Sequence, residues 1–432
     1  MEVINVDSKN ELEMAPPAEA GFSGERLNRI SRVMQKHIDR GDIPGGVTLV
    51  MRKGKVVHYE AIGFMDIASK KPMSKDGIFR MYSMTKPITA VAVLMLYEEG
   101  SLMLDDPVSK YIPAFANPMV IVTQPPKGRA KYWPMGRIYT EPAKREITIR
   151  DLLTHTAGLA SPRLTPVAFV KDLSDAIKGS LFFPHDDGTA RPRISIRESV
   201  EKLAGIPLSF HPGTCWQYGH EYDVLGVLVE TISGKSLEDY FQERILAPLN
   251  MKETSFLLPE HKVNRLVTAY TWDESWKLKV YDHPRDSIKV MGPKDAFSGL
   301  GDYGGIVSTA SDYLRFAQML LNRGELDGVH LLSPKTVELM TLNHTGDLFI
   351  YARAYGWGYG LSLGVRTDLT ESTAIGSVGT YGWSGAACTQ FFVDPKEELI
   401  ALALSQVFGF GFKPDFALDQ EFEKAIYQAI ID

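Results

Sequence analysis

Ser83 and Lys86 stand three residues apart in Tyr82-Ser83-Met84-Thr85-Lys86, at the opening of an apolar run. On a helix, positions i and i+3 share one face with Cβ atoms about 5 to 6 Å apart, so an amine there reaches a hydroxyl. A serine hydroxyl is a weak nucleophile until a neighbouring base removes its proton as it attacks, and a lysine desolvated by apolar neighbours is such a base. Met84, Ile88 and Val91 are placed to supply that desolvation. Pro87 falls in the first helical turn, where its missing N–H costs nothing, so the helix is expected to begin close to Ser83. There the positive end of the helix dipole favours a developing oxyanion. Read in isolation, the same spacing also describes a serine N-cap followed by a solvated lysine. The helix that follows is too apolar for a surface helix, which favours the chemical reading.

Two further segments carry chemistry. The turn-rich stretch 212–220 runs into a helix expected near Tyr222, and its Tyr218 offers a phenol as a second base; alone, such a tyrosine is more often a packing residue. Gly382-Trp383-Ser384-Gly385-Ala386 lies beside a strand expected from Thr389, and its glycines let backbone approach a ligand and offer N–H groups. It comes near a G-x-S-x-G esterase elbow, but Ala386 occupies the place of the final glycine, so Ser384 is not read as the nucleophile. Cys215, Cys388 and His155 read as structural. No H-E-x-x-H or Cys/His cluster points to a metal, and no cofactor is expected.

The elements that must position these residues follow from hydrophobic period and turn chemistry. Leu27, Ile30, Val33, Met34 and Ile38 recur at helical spacing within 22–41, with Ser23 as N-cap. Strands over 47–51 and 56–62 flank Arg52-Lys53-Gly54-Lys55, a hairpin turn. The middle of the chain reads mainly as helices and long loops, with helices over 84–99, 149–153 and 222–232. Strands return at 356–365, 389–393 and 399–405, with Pro395-Lys396 as a turn, and a last helix covers 416–431. Neither end carries enough strands for a stable sheet alone. The expectation is therefore an α+β chain: an antiparallel sheet domain from 20–83 and 291–432, with 84–290 as an inserted, mainly helical domain. The aperiodic stretches 124–145 and 161–195 are candidate lids or binding loops.

The 432 residues, 44% hydrophobic and 23% charged, are enough for a large core. A net charge of -6 with scattered Lys and Arg argues against a nucleic-acid partner. The longest apolar run, 90–96, is far too short to span a bilayer, so no membrane partner is expected. Two cysteines suit a reducing compartment, and the acidic, polar residues 1–17 do not resemble a signal peptide, so the cytoplasm is the expected location.

Ser83-Met84-Thr85-Lys86, the run Leu-Leu-Thr-His-Thr-Ala-Gly-Leu at 152–159, the segment 212–220, Pro248-Leu249-Asn250-Met251 and Gly304-Gly305-Ile306-Val307-Ser308-Thr309 follow the order seen in serine β-lactamase-like proteins. Over residues 20–430 the chain resembles the family VIII carboxylesterases, which share the fold of class C β-lactamases and penicillin-binding proteins. S-x-x-K is among the signatures of that wider group. The resemblance implies a β-lactamase/transpeptidase-like fold. It makes Ser83 the acylated nucleophile, Lys86 its proton acceptor or electrostatic partner, and Tyr218 the tyrosine of a Tyr-x-Asn motif. His220 stands where that motif has asparagine and is expected to line the site.

The Lys-Thr-Gly segment of β-lactamases and penicillin-binding proteins is absent, and Trp383-Ser384-Gly385 resembles its replacement in the esterases. An indole in place of a cation suits an apolar acyl or alcohol group better than a substrate carboxylate. Trp383, Ser384, Gly385, His220 and Tyr82 are accordingly the expected substrate contacts. By the same resemblance the oxyanion hole is formed by the N–H groups of Ser83 and Ala386. The expected activity is hydrolysis of short- to medium-chain carboxylic esters, small molecules, through a Ser83 acyl-enzyme. Rival readings are a β-lactamase or D-peptidase, an acyltransferase using the same acyl-enzyme, and a non-catalytic binding protein that keeps the fold. Intact Ser83, Lys86 and Tyr218 weigh against the last.

Overall fold

Alternating apolar side chains decide the centre of the molecule. In the strands Gly45–Arg52 and Leu399–Leu404 every residue is buried, which requires cover on both faces. The two-residue period of a strand divides them: Val47, Leu49, Met51, Ile400, Leu402 and Leu404 join one core cluster, and Val50, Leu399, Ala401 and Ala403 join another. Ile30 of the helix Arg29–Asp39 and Phe422 and Ile426 of the helix Leu418–Tyr427 close the second cluster. Tyr313, Leu314 and Phe316 of the helix Ala310–Leu321 belong to the first. The computed structural model describes residues 12–122, 139–161, 195–291, 305–350, 355–371, 375–409, 411 and 413–432.

Eight strands form one antiparallel sheet in the order Trp357–Tyr359, Gly364–Arg366, Tyr381–Gly385, Thr389–Asp394, Leu399–Leu404, Gly45–Arg52, Lys55–Asp66 and Lys71–Pro72. The two ends of the chain meet at its middle, with Val47 opposite Leu404 and Arg52 opposite Leu399. The α+β class and the antiparallel sheet drawn from both chain ends match the expectation. So does the hairpin at 53–54, where Lys53 and Gly54 take φ of 52° and 73°, as a two-residue turn between twisted strands requires.

Several expectations are corrected. The single strand at 356–365 is a hairpin: the chain turns at 360–363, Ser362 takes φ of 86°, and Leu361 N–H donates to Met340 C=O at 2.9 Å. Its alternation survives the turn, which is why periodicity alone read it as continuous. The glycine-rich stretch beside Thr389 is itself a strand, Tyr381–Gly385, and raises the C-terminal share of the sheet to five strands. The leading helix is split into Gly24–Leu27, capped by Ser23, and Arg29–Asp39. The middle segment also holds two hairpins, Met119–Val122 with Tyr139–Pro142 and Ala269–Trp272 with Leu278–Asp282. Of the candidate lids 124–145 and 161–195, residues 124–138 and 162–194 lie outside the described residues, and 139–142 are the strand Tyr139–Pro142.

The helix Thr85–Glu98 runs through the interior. Every residue from Thr85 to Leu96 is buried, Lys86 included, so the helix has no polar stripe and packs on all sides. One neighbour is the helix Glu221–Ser233, which follows directly on the segment that carries Tyr218. Among the described residues no helix is long and apolar enough to cross a membrane.

Candidate active site

Ser83 sits in a 3₁₀ turn, Tyr82–Met84, that leads straight into the helix Thr85–Glu98. Tyr82 has φ of 46°, a left-handed conformation that costs a bulky residue on the order of 1 to 3 kcal/mol and persists only where the surroundings impose it. They do so from three sides. Met81 N–H donates to Ile306 C=O at 2.9 Å, Ile306 N–H donates to Thr85 Oγ1 at 3.0 Å, and the Tyr313 hydroxyl donates to Met84 C=O at 2.8 Å. Gly305 makes the first two bonds possible, because a Cβ at its φ of 66° would overlap Thr85 Oγ1. Ser83 thus has its N–H in the first turn of a helical run, where backbone N–H groups have no intrahelical acceptor.

Behind Gly305 lies a second buried lysine that sequence reasoning missed. Lys289, 1% exposed, donates from Nζ to the Gly305 and Phe256 carbonyls. Burial pulls its pKa down to about 7, the charge of Arg80 adds to the depression, and Asp282 and Glu238 oppose it. Between that value and the ordinary lysine range the folded protein holds Lys289 neutral while the unfolded chain protonates it, so unfolding takes up a proton and stability rises with pH. Between pH 7 and pH 9 the wild type should gain roughly 2 to 3 kcal/mol relative to Lys289→Met. Urea unfolding of both proteins at the two pH values measures this, and parallel curves would refute the assignment.

Lys86 Nζ donates to Ser83 Oγ at 3.2 Å. Its ammonium lies over two rings, 4.9 Å from the centroid of Tyr218 and 5.8 Å from that of Tyr222, and among the described residues it forms no ion pair with a carboxylate. Cation–π contact partly replaces the water this buried nitrogen has lost. Tyr222 is fixed by its hydroxyl, which donates to Leu153 C=O at 2.9 Å, and burial raises its pKa well above the ordinary phenol value.

Tyr218 is held by a box of rings. His155 lies 4.4 Å from it, Trp383 5.7 Å and Trp216 6.1 Å, and the Trp383 indole N–H donates to the Tyr218 hydroxyl at 3.3 Å. His155 is fully buried, and its Nδ1 lies 2.7 Å from Glu221 Oε2, so the proton on that nitrogen points to the carboxylate. Burial lowers the His155 pKa, the charge of Lys86 lowers it further, and Glu221 opposes both, leaving a neutral ring. The pair joins the segment 152–159 to the start of the helix Glu221–Ser233. It thereby sets where the intervening Tyr218 stands. Nothing in the spacing of His155 and Glu221 announces this; the clue in the sequence was a histidine and a glutamate next to two apolar helices.

The strand Tyr381–Gly385 brings Trp383, Ser384 and Gly385 to the same place, and its end packs on the turn Tyr82–Met84. Gly385 permits the approach, since a Cβ would overlap Met81 O and Thr389 Oγ1. Ala386 follows as the first residue of the turn to the next strand, and its carbonyl accepts from Gly409 N–H at 3.2 Å. Ser384 is partly exposed and pairs with Gln390. Tyr82, 5% exposed, packs its ring against Phe408 at 5.9 Å. His220 Nδ1 lies 3.1 Å from Asp223 Oδ2, and its Nε2 is buried with no hydrogen-bond partner among the described residues. Cys215 is exposed and Cys388 buried, its thiol pushed up in pKa by burial; both are free thiols. Among the described residues no group of three or more His, Cys, Asp or Glu side chains could hold a metal ion.

A hydroxyl and a buried amine from one segment, a phenol from a second and a glycine-bearing strand edge from a third converge in an arrangement suited to acyl transfer, and known proteins resemble this chain over most of its length. Protein Rv1367c of Mycobacterium tuberculosis is 36% identical over 88% of this chain and 89% of its own length. Esterase EstB of Burkholderia gladioli is 28% identical over 87% and 89%. The solved structure of EstCE1, described as a hydrolase with promiscuous acyltransferase activity, superposes with a TM-score of 0.75 at 26% identity, covering 93% of this chain and 99% of that one. The family model for Beta-lactamase matches residues 30–425, and with the eight-stranded antiparallel sheet and its buried central helix the chain belongs to that family.

Proposed function

We propose that this protein is a carboxylesterase of the family VIII type, hydrolysing short- to medium-chain esters through an acyl-enzyme on Ser83. The observation that carries the reading is the 3.2 Å contact between Lys86 Nζ and Ser83 Oγ inside the core, with the Tyr218 ring on the same ammonium. Two distant parts of the chain meet there, although a structural lysine would gain more by reaching water. The esterase relatives support the same chemistry. The cytoplasm is its proposed location.

In this mechanism the ester carbonyl oxygen lies between the N–H groups of Ser83 and Ala386. Ser83 Oγ bonds to the carbonyl carbon while its proton passes to the Tyr218 oxygen, which reacts as the phenolate paired with the Lys86 ammonium. The tetrahedral intermediate collapses, the alcohol leaves with that proton, and the acyl group stays on Ser83. Water then attacks the acyl carbon, gives its proton to the same pair, and the acid departs as the proton returns to Ser83 Oγ. Trp383 fixes the direction of the phenol and offers an apolar wall to the substrate.

Intact mass after brief exposure to an alkyl phosphonate ester tests the nucleophile. Wild type should gain one phosphonyl group and Ser83→Ala none. An equal adduct on both proteins would remove Ser83 from the mechanism, and no adduct on folded wild type would favour a binding protein that keeps the fold.

A further inference from the structure

Three aromatic rings lead outward from the nucleophile turn. Tyr82, adjacent to Ser83, is 5% exposed; Phe408, half-buried, lies 5.9 Å from it; and Tyr281, 41% exposed, stacks on Phe408 at 4.9 Å with the rings 5° from parallel. Phe408 is placed by the backbone around it. Its own N–H donates to Tyr270 C=O at 2.7 Å, and the next residue, Gly409, donates to Ala386 C=O at 3.2 Å. The row of rings therefore starts between the two backbone segments that hold Ser83 and Ala386 and ends in solvent.

One buried side chain locks the three segments together. Arg80, 1% exposed and two residues before Tyr82, donates to Asp282 Oδ2 at 2.7 Å, immediately after Tyr281. It also donates to Gln406 Oε1 at 3.3 Å, two residues before Phe408, and Gln406 Nε2 returns a bond to Arg80 C=O at 3.1 Å. The spacing of the rings is thus set before any ligand arrives. A rigid aromatic face that is graded from buried to exposed offers a planar apolar group a stacking partner at little cost in ordering.

We propose that Phe408, flanked by Tyr82 and Tyr281, is a subsite for an aryl group carried by the ester substrate. The inference rests on the esterase reading and narrows its substrate class to esters with an aromatic ring within a few bonds of the scissile carbonyl. The ring can belong to the acyl or to the alcohol half, and the chemistry of recognition is the same for both.

The test compares kcat/KM for methyl phenylacetate against methyl butanoate, and for benzyl acetate against butyl acetate, in wild type, Phe408→Leu and Tyr281→Ala. The aryl-to-alkyl ratio should fall about fivefold in Phe408→Leu, and by less in Tyr281→Ala, for the half of the ester that stacks there. A ratio within twofold of wild type in both pairs, whatever the overall rate, would overturn the subsite. Tyr281 is a surface residue, so its variant keeps the test open should Phe408→Leu fold poorly. Failure of the esterase reading shows separately, as no turnover of any ester by wild type. In that case calorimetric binding of methyl phenylacetate to Ser83→Ala decides: affinity lowered about fivefold by adding Phe408→Leu supports the subsite, and equal affinity refutes it.

Discussion

Lys86→Met should lower kcat for methyl butanoate about a thousandfold, within the range expected for loss of general acid–base help, while leaving the protein at least as stable as wild type. The two halves of this expectation have one cause. Lys86 is fully buried, and among the described residues its ammonium is compensated by Ser83 Oγ and two ring faces and by no carboxylate ion pair. Replacing an under-compensated buried charge by an apolar side chain of similar volume is commonly neutral or stabilising, by about 1 to 4 kcal/mol. A lysine kept for packing would behave in the opposite way: its loss would lower the melting temperature and spare the rate. Turnover by pH-stat and thermal melting on one preparation measure both halves. Activity within tenfold of wild type would remove Lys86 from the proposed chemistry.

Gly385→Ala should cost roughly 100-fold in kcat, since displacing a reacting geometry by about 1 Å has effects of this size. The added methyl has nowhere to go. It meets the Met81 carbonyl oxygen and Thr389 Oγ1, and the first of these is backbone one residue before Tyr82. Relief requires the strand Tyr381–Gly385 to move away from the turn Tyr82–Met84, which widens the gap between the N–H groups of Ser83 and Ala386. Overpacking of this kind also costs about 1 to 3 kcal/mol of stability. Phosphonate labelling separates the effects, because Ser83 and Lys86 remain neighbours within one helical turn while the strand withdraws. Labelling slowed by a similar factor in a folded variant is the expected result. Wild-type labelling and turnover would show that Ala386 N–H plays no part.

These two residues also mark the limit of what could be read from the chain before its structure. Ser83 and Lys86 were legible because their relation is local: three residues on a helix whose start was signalled by Pro87 and whose burial was signalled by an unbroken apolar run. The central strands Gly45–Arg52 and Leu399–Leu404 were legible for a similar reason, the second being a continuous apolar run and the first a mainly apolar one interrupted at Thr48 and closed by Arg52 before the turn. The strand Tyr381–Gly385 was not, since Gly-Trp-Ser-Gly has weak intrinsic strand preference. It becomes a strand only because Phe391 and its neighbours in Thr389–Asp394 offer it a paired edge.

The α+β class, the antiparallel sheet shared by the two ends, and the placing of a hydroxyl and an amine on one helical face were all written in the local pattern of residues. Those follow from steric and hydrophobic rules that act over a few residues. Tertiary structure alone decided which side chains surround that amine. The Tyr218 ring over Lys86, the Trp383 indole bonded to Tyr218, the His155–Glu221 pair beneath them and the aromatic row from Tyr82 to Tyr281 join segments far apart in the chain. Their positions depend on how whole helices and strands pack, and that packing is settled by the sum of many contacts, none of which leaves a local mark.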